Sequence, residues 1–292
     1  MKGFVLAAAG SVLWATSGIA GQYLLGYARV SPEWLTLCRL FLAGLLLLFY
    51  DALTHKGDIF SIWKNKKDGI ELFLFGALGM LFTQYGYFVA IKYSNAATAT
   101  VTVLEYLMPI LIVAWYCLKY RRLPYKKELF CSLFAVAGTA LIATHGNFQS
   151  LAISSKALFW GLLAALACAF YTVEPKRIIQ KWRATLVIGW GMLVASIMIA
   201  PVTFYVPVTG NLGWETAAAF LYVVIFGTVL SFSMYLGSVK YIDPGETSII
   251  AALEPLASIL FSAVIFNMTF GFFELAGMLF IIVAVMVVTQ GN

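Results

Sequence analysis

Ten apolar runs, each long enough to cross a lipid bilayer as a helix, leave this 292-residue chain little choice of solvent. A hydrocarbon layer about 30 Å thick takes roughly 20 helical residues to span. The runs occupy 3–25, 32–52, 69–91, 96–118 and 127–144, then 156–174, 185–206, 214–239, 244–266 and 271–289. Hydrophobic residues make up 62% of the chain and charged ones 11%, against about 45–50% and 25% in soluble domains. One globular core of this size cannot bury such an excess. Hydrocarbon satisfies no backbone polar group, so the runs must be helices, and a β-barrel would instead alternate over segments of about 10 residues. The expected fold is an all-α integral membrane protein of about ten transmembrane helices. The first run follows Lys2 as a signal peptide might, but it is too long, ends without a small-residue cleavage site and precedes nine similar runs, so it reads as a span.

The net charge of +6 reports topology rather than a nucleic-acid partner. With the N-terminus placed in the cytoplasm, the cytoplasmic loops hold 15 of the Lys and Arg residues and the outer loops hold 3, namely Arg29, Lys92 and Lys156. That asymmetry is the positive-inside pattern, and it puts both termini in the cytoplasm, with the plasma membrane as the expected location. Cys38, Cys117, Cys131 and Cys168 are scattered through apolar segments without paired spacing, so neither a disulfide framework nor a zinc site is expected. His55 and His145 sit at span ends without ligand-spaced neighbours, and no phosphate-binding glycine loop occurs, so no metal or cofactor is expected. Loops are too short for a nucleotide-binding domain, which favours an ion gradient, with protons as the coupling ion, or passive exchange.

The two halves repeat, over 1–145 and 155–290. YFVAIKY at 87–93 matches YLGSVKY at 235–241, and each is followed by a short polar joint. Leu104-Glu105 and Leu253-Glu254 come next, with Pro109 and Pro255 close behind, and Glu128 and Glu274 open the last span of each half. Five spans per half is an odd number, so the second half must enter the membrane in the opposite sense. Inverted-topology repeats of this kind are common in secondary transporters, which bind substrate near the midplane between the repeats.

Ionisable groups inside a membrane are costly and are functional candidates by default. Glu105 and Glu254 lie about ten residues into their spans, roughly mid-bilayer at 1.5 Å per residue. Thr98, Thr102, Glu105 and Pro109 share one helical face, as do Thr247, Ala251, Glu254, Ser258 and Ser262. Pro109 and Pro255 lack an N–H and are expected to break the ladder, freeing the carbonyls of Glu105 and Ala251. The bland alternative is that each acid is protonated and only packs the bundle. Arg39 lies seven residues from Pro32, and is expected to snorkel to the outer headgroups or pair structurally. Trp14, Gln22, Gln84, Tyr85, Tyr87, Trp160, Tyr171 and Tyr235 are the aromatic and amide groups available to stack on a ligand or hold an ammonium group. Trp14, Gln84, Tyr87, Tyr171 and Tyr235 complete the substrate-binding candidates with Glu254, Glu105, Thr98 and Thr102, although any one aromatic is more often core or interfacial belt.

These features resemble the drug/metabolite transporter superfamily in its bacterial EamA-type branch. The resemblance rests on the paired five-span repeats, the small-residue joints SNAATAT and IDPGETS, Leu253-Glu254-Pro255, and Arg39-Leu40-Phe41 in the second span. It departs at Lys119-Tyr120-Arg121, where an acidic residue often stands in the family. The resemblance implies that the first four spans of each half surround a central cavity while the fifth packs behind. It also implies export of small metabolites, with amino acids or related compounds as substrates. Efflux of organic cations or drugs is the second reading, suggested by two central acids and many aromatics. An intramembrane enzyme would need a nucleophile–base set or metal ligands that the sequence does not offer, and a non-transporting structural partner would leave the duplicated acids unexplained. The partners are thus a small-molecule substrate, the bilayer and coupling protons, with no nucleic acid, for a monomer or homodimer.

Overall fold

The computed structural model describes residues 1–55, 58–93, 105, 107–144, 147, 155–211, 213–254, 256–257, 261 and 271–289, and among them there is no β-strand. In chain order the helices are α1 Lys2–Gln22, α2 Pro32–His55, the single turn α3 Ser61–Lys64, α4 Lys66–Leu74, α5 Leu81–Tyr93, α6 Met108–Tyr120 and α7 Lys126–Thr144. They continue with α8 Ser155–Val173, the short α9 Lys176–Lys181, α10 Ala184–Thr203, α11 Trp214–Val224, α12 Ser231–Ser238, α13 Pro244–Ile250 and α14 Phe272–Thr289. Six stretches among the described residues are long and apolar enough to span a membrane: Lys2–Leu25, Pro32–His55, Lys66–Ala90, Ser155–Lys181, Ala184–Thr203 and Trp214–Ser238.

Local sequence explains the helix ends. Pro32, Pro109 and Pro244 stand in the first turns of α2, α6 and α13, where the missing N–H has no intrahelical partner to lose. Asn65 caps α4 by accepting the Asp68 N–H at 3.1 Å. Arg121 stops α6 in the left-handed region at φ 48°, and the Arg122 N–H closes the turn onto the Cys117 carbonyl at 3.0 Å. A widened π turn, Phe75–Met80, joins α4 to α5, and a second, Ile225–Leu230, joins α11 to α12 at the matching place in the other half. Such turns let one helix change face along its length.

Packing follows small residues. A Cβ on Gly44 of α2 would lie 2.9 Å from the Gly189 carbonyl of α10, and one on Gly138 of α7 would lie 2.7 Å from the Gly277 carbonyl of α14. Both approaches are too close for any side chain, as at many membrane helix interfaces. In each pair the helices run antiparallel. Gly44 faces Gly189 and Leu193 while Leu48 faces Gly189 from the next turn, and Phe134 meets Phe280 one turn from the Gly138–Gly277 contact. The other two large contacts are α1 against α12 and α5 against α8. These are also antiparallel: Gly3, Gly10 and Ser17 meet Ile242, Ser231 and Gly227, while Gly79 and Gly86 meet Tyr171 and Ala164.

The charged residues gather at one end. Asp51 at the end of α2, Asp68 at the start of α4, Arg177 and Lys181 on α9, Arg183, and Asp243 before α13 are joined by ion pairs there. Lys2 reaches the Tyr241 ring at that same end, 4.9 Å from its centroid. In the loops, the Lys64 ammonium 2.5 Å from Asp58 holds that carboxyl below the usual carboxylate range, and the Glu128 carboxylate pushes the Arg122 guanidinium up. At the opposite end the connection after α10 is stitched to the one after α1. The Asn211 N–H reaches the Ala28 carbonyl at 2.9 Å, and the Thr209 hydroxyl reaches that of Arg29 at 3.0 Å. Gly210 between them has φ +119°, and a Cβ there would stand 2.6 Å from the Ala28 carbonyl, so the stitch requires glycine.

Candidate functional site

Glu105 precedes α6 by one turn and is partly buried. It lies within electrostatic range of Glu254 and of Arg39, so three ionisable side chains from three different segments share one region of the bundle interior. Glu254 follows an interruption of its helix. Beyond Ile250 the chain turns through Ala251 and Ala252, whose N–H bonds the Ile249 carbonyl at 3.1 Å, and the Glu254 N–H bonds the Ala251 carbonyl at 2.9 Å. Pro255 has no N–H to offer that carbonyl, and the tighter three-residue bond takes its place. The Ala251 oxygen is therefore satisfied by the chain itself rather than left spare for a ligand, which corrects the expectation above.

Met108 stands one turn beyond Glu105 and forms the floor of the cluster. The Cys168 thiol donates to its sulfur at 3.1 Å, and the Tyr235 hydroxyl lies 3.8 Å from the same atom. Thr172 donates back to the Cys168 carbonyl at 2.8 Å and sits 3.4 Å from the Tyr235 hydroxyl. Trp14 closes the α1 side, its ring 4.8 Å from Tyr235 and 4.9 Å from Phe232, with Tyr171 5.9 Å from Phe232. Cys168, Tyr171 and Tyr235 all fall in the electrostatic field of Glu105. The arrangement places acids beside a wall of aromatic rings, which suits a cationic or amine-bearing group.

Arg39 is 7% exposed, with its guanidinium 5.2 Å from the Phe88 ring centre and Tyr87 and Glu105 as electrostatic neighbours. It does not snorkel. An arginine that stayed within reach of the headgroups would be exposed at its tip, whereas this one turns into the bundle toward an acid. Its Nε has no hydrogen-bond partner among the described residues, and neither do the hydroxyls of Thr36 on α2 and Thr83 on α5. Gln84 is partly buried on α5, and Tyr85 packs instead on the Trp160 ring at 5.6 Å. Thr247 is buried and pairs with the Ser238 hydroxyl at 3.1 Å. Thr98, Thr102, Pro255, Ser258 and Ser262 lie outside the described residues, as does the side chain of Gln22. Met108, Cys168, Thr172 and Phe232 were not singled out by sequence, since each reads as ordinary core. The spacing of Met108, three residues beyond Glu105, was the available signal.

The sequence profile of the EamA-like transporter family matches this chain twice, over residues 1–144 and 155–290. The chain belongs to the EamA-like transporter family. It is thereby a membrane transporter of the drug/metabolite transporter superfamily. It is 39% identical over 294 residues to the inner membrane transporter YicL of Salmonella typhimurium, covering 99% of this chain and 95% of that one. A transporter of Archaeoglobus fulgidus is 25% identical over 301 residues, covering 99% and 97%. A solved crystal structure shares the fold with a TM-score of 0.81 at 17% identity, over 99% of this chain and 96% of that one. Among the described residues no group of three or more His, Cys, Asp or Glu side chains is placed to hold a metal ion.

Proposed function

We propose that this family member is a secondary transporter that exports small metabolites, amino acids or related compounds, across the plasma membrane by alternating access coupled to protons. The observation that carries the reading is that Glu105 and Glu254 lie within electrostatic range of each other. They stand at matching places in the two halves, and substrate sites at repeat interfaces are built that way. The reading takes the chain as ten spans in two inverted repeats, with α6, α7, α13 and α14 belonging to the four spans beyond the six long ones. Its support is the antiparallel packing of α2 on α10 and of α7 on α14, each pair occupying matching positions in the halves, and the exchange relation between the α1–α12 and α5–α8 contacts. The basic end is then cytoplasmic, as are both termini, and the inner-membrane relative in Salmonella typhimurium supports the location.

Glu254→Gln tests it, because the amide keeps size and hydrogen-bonding capacity. Proton-coupled flux in proteoliposomes should be lost while thermal stability stays level or rises slightly, since a mid-membrane acid is costly. Unchanged flux with reduced stability would mean that Glu254 only packs. Efflux of organic cations is the second reading, favoured by the rings of Trp14, Tyr171, Phe232 and Tyr235 beside two acids. Quenching of tryptophan fluorescence by a tetraalkylammonium ion, without quenching by amino acids, would select it.

A further inference from the structure

The ion pairs at the basic end are unevenly distributed, and they meet on one short linker. Asp68 is 1% exposed and is held by Arg177 at 2.7 Å, Lys181 at 2.5 Å and the Trp182 indole N–H at 2.9 Å. Arg177 also grips Glu71, its Nε 2.7 Å from that carboxylate. Lys176 pairs with Asp243 at 2.5 Å, and Lys240 donates to the Trp182 carbonyl at 3.1 Å. Segment 174–183, with α9 at its centre, thus clasps the start of α4 on one side and the joint between α12 and α13 on the other. The two clasped elements belong to different halves of the chain, and both lead towards the acidic cluster, α4 through α5 and α13 through Glu254. At the opposite end the described bonds between connections include the neutral ones of Thr209 and Asn211 and the Tyr23 hydroxyl on Glu215 at 3.3 Å.

A second set on the same face differs in kind. Asp51, 0% exposed, receives Arg183 at 2.8 and 2.6 Å and the Thr185 hydroxyl at 2.7 Å. It joins α2 to α10, whose backbones already touch through Gly44 and Gly189. That pair has no room to slide, so Asp51 pins a fixed seam.

We infer that the Asp68–Arg177–Lys181 and Lys176–Asp243 ion pairs form a latch that keeps the basic end of the substrate path closed and must break for the site to face that end, while the Asp51–Arg183 pair stays made throughout. The inference rests on the alternating-access reading of the previous section. Ion pairs suit a latch because their strength depends on water. The Asp68 pairs are stable while the linker covers them, the more exposed Lys176–Asp243 pair adds a smaller share, and each partner is resolvated at little cost once the linker lifts. Latch energy at the basic end favours the state that is closed there, and so access from the other end, because it is present in only one of the two states.

Two glycines provide reporters. Gly21 on α1 and Gly237 on α12 are buried, yet a Cβ built on either meets no atom of the described residues within 4 Å, so a cysteine there displaces no described neighbour. The antiparallel packing of α1 on α12 puts Gly237 in the half nearer the basic end and Gly21 in the other half. Gly21→Cys and Gly237→Cys are made singly in full-length protein with Cys38, Cys117, Cys131 and Cys168 replaced by serine. Each is labelled with an impermeant maleimide in inside-out and right-side-out vesicles. Asp68→Asn should raise the labelling rate of Gly237→Cys from the basic end by about tenfold and lower that of Gly21→Cys from the other end, as a shift of one state towards the other requires. Asp243→Asn, at a side chain 67% exposed and therefore gentle on folding, should move the rates the same way by a smaller factor. Asp51→Asn should leave the ratio of the two rates unchanged. If labelling is normal but neither Asp68→Asn nor Asp243→Asn alters the ratio, the latch is refuted and alternating access survives. Equal rates from both sides at both reporters in every variant would refute alternating access itself.

Discussion

Arg39 tests whether the central charges serve transport or architecture. It is a buried cation turned towards Glu105, with an Nε that no described residue satisfies. Replacing both members of a buried ion pair by uncharged side chains of similar volume is often neutral or stabilising, and removing Arg39 alone comes close to that if Glu105 takes up a proton instead of standing as an orphaned charge. Arg39→Met is therefore expected to leave the thermal midpoint within a few degrees or raise it, and to abolish flux in proteoliposomes. Arg39→Met combined with Glu105→Gln, which removes the partner as well, should be at least as stable as the single variant and equally inactive. A loss of about 3–5 kcal/mol in Arg39→Met alone, recovered in the double variant, would instead mark the pair as structural, since that is the usual cost of orphaning a buried charge. Asp51 is the contrasting case. Its three donors are all in place, so Asp51→Ala should be among the more destabilising changes at the basic end, with its effect read in the melting temperature rather than in substrate affinity.

At the scale of the helix, backbone contact decides. Gly138→Leu would push a side chain into the Gly277 carbonyl and the flank of Ile281, and α7 would have to move off α14. Overpacking of this kind costs about 1–3 kcal/mol or more. It is expected to lower the thermal midpoint while leaving binding at the central cluster intact, because neither helix carries a residue of that cluster. The same scale shows what a reading of residues alone reaches. Long apolar runs gave the six stretches of spanning length because bilayer thickness fixes run length. The widened turns at Phe75–Met80 and Ile225–Leu230 were not legible. Apolar periodicity changes little when one turn takes an extra residue, so nothing in the run marks it. Glu105 and Glu254 stood out because charge in hydrocarbon is rare, whereas Met108 and Cys168 did not, because sulfur in an apolar run carries no such signal. Of the two expectations for Arg39, snorkelling and structural pairing, its burial removes the first and leaves the second. Depth along the helix was readable, but which way the side chain turns depends on α5 and on Glu105, which are distant in sequence.

For the molecule as a whole, charge asymmetry and packing point to the same arrangement. The loops and span ends expected on the cytoplasmic side hold Lys2, Asp51, Asp68, Arg177, Arg183, Lys240 and Asp243, and the fold brings all of these to one end. A chain with an even number of spans returns both termini to that end, whereas an odd number would separate them. Asn65 lies between α3 and α4 at the basic end, and Gly210 lies at the stitched end, both exposed. Single cysteines at these two positions, in a background with the four native cysteines replaced by serine, report sidedness, a readout that does not depend on the central cluster where Cys168→Ser falls. Gly210 sits at φ +119°, so its substitution carries local strain, and Thr209→Cys beside it is the check on that position. In right-side-out vesicles an impermeant maleimide should label Thr209→Cys and Gly210→Cys but not Asn65→Cys, and inside-out vesicles should reverse the pattern. A positive-inside bias acts during insertion, so the orientation with Asn65 in the cytoplasm is the one expected in every molecule. Labelling of both positions from one side would contradict the packing of α2 against α10 as well as the span count. Labelling of each position from both sides would mean a population inserted in two orientations, which a charge bias of 15 to 3 argues strongly against.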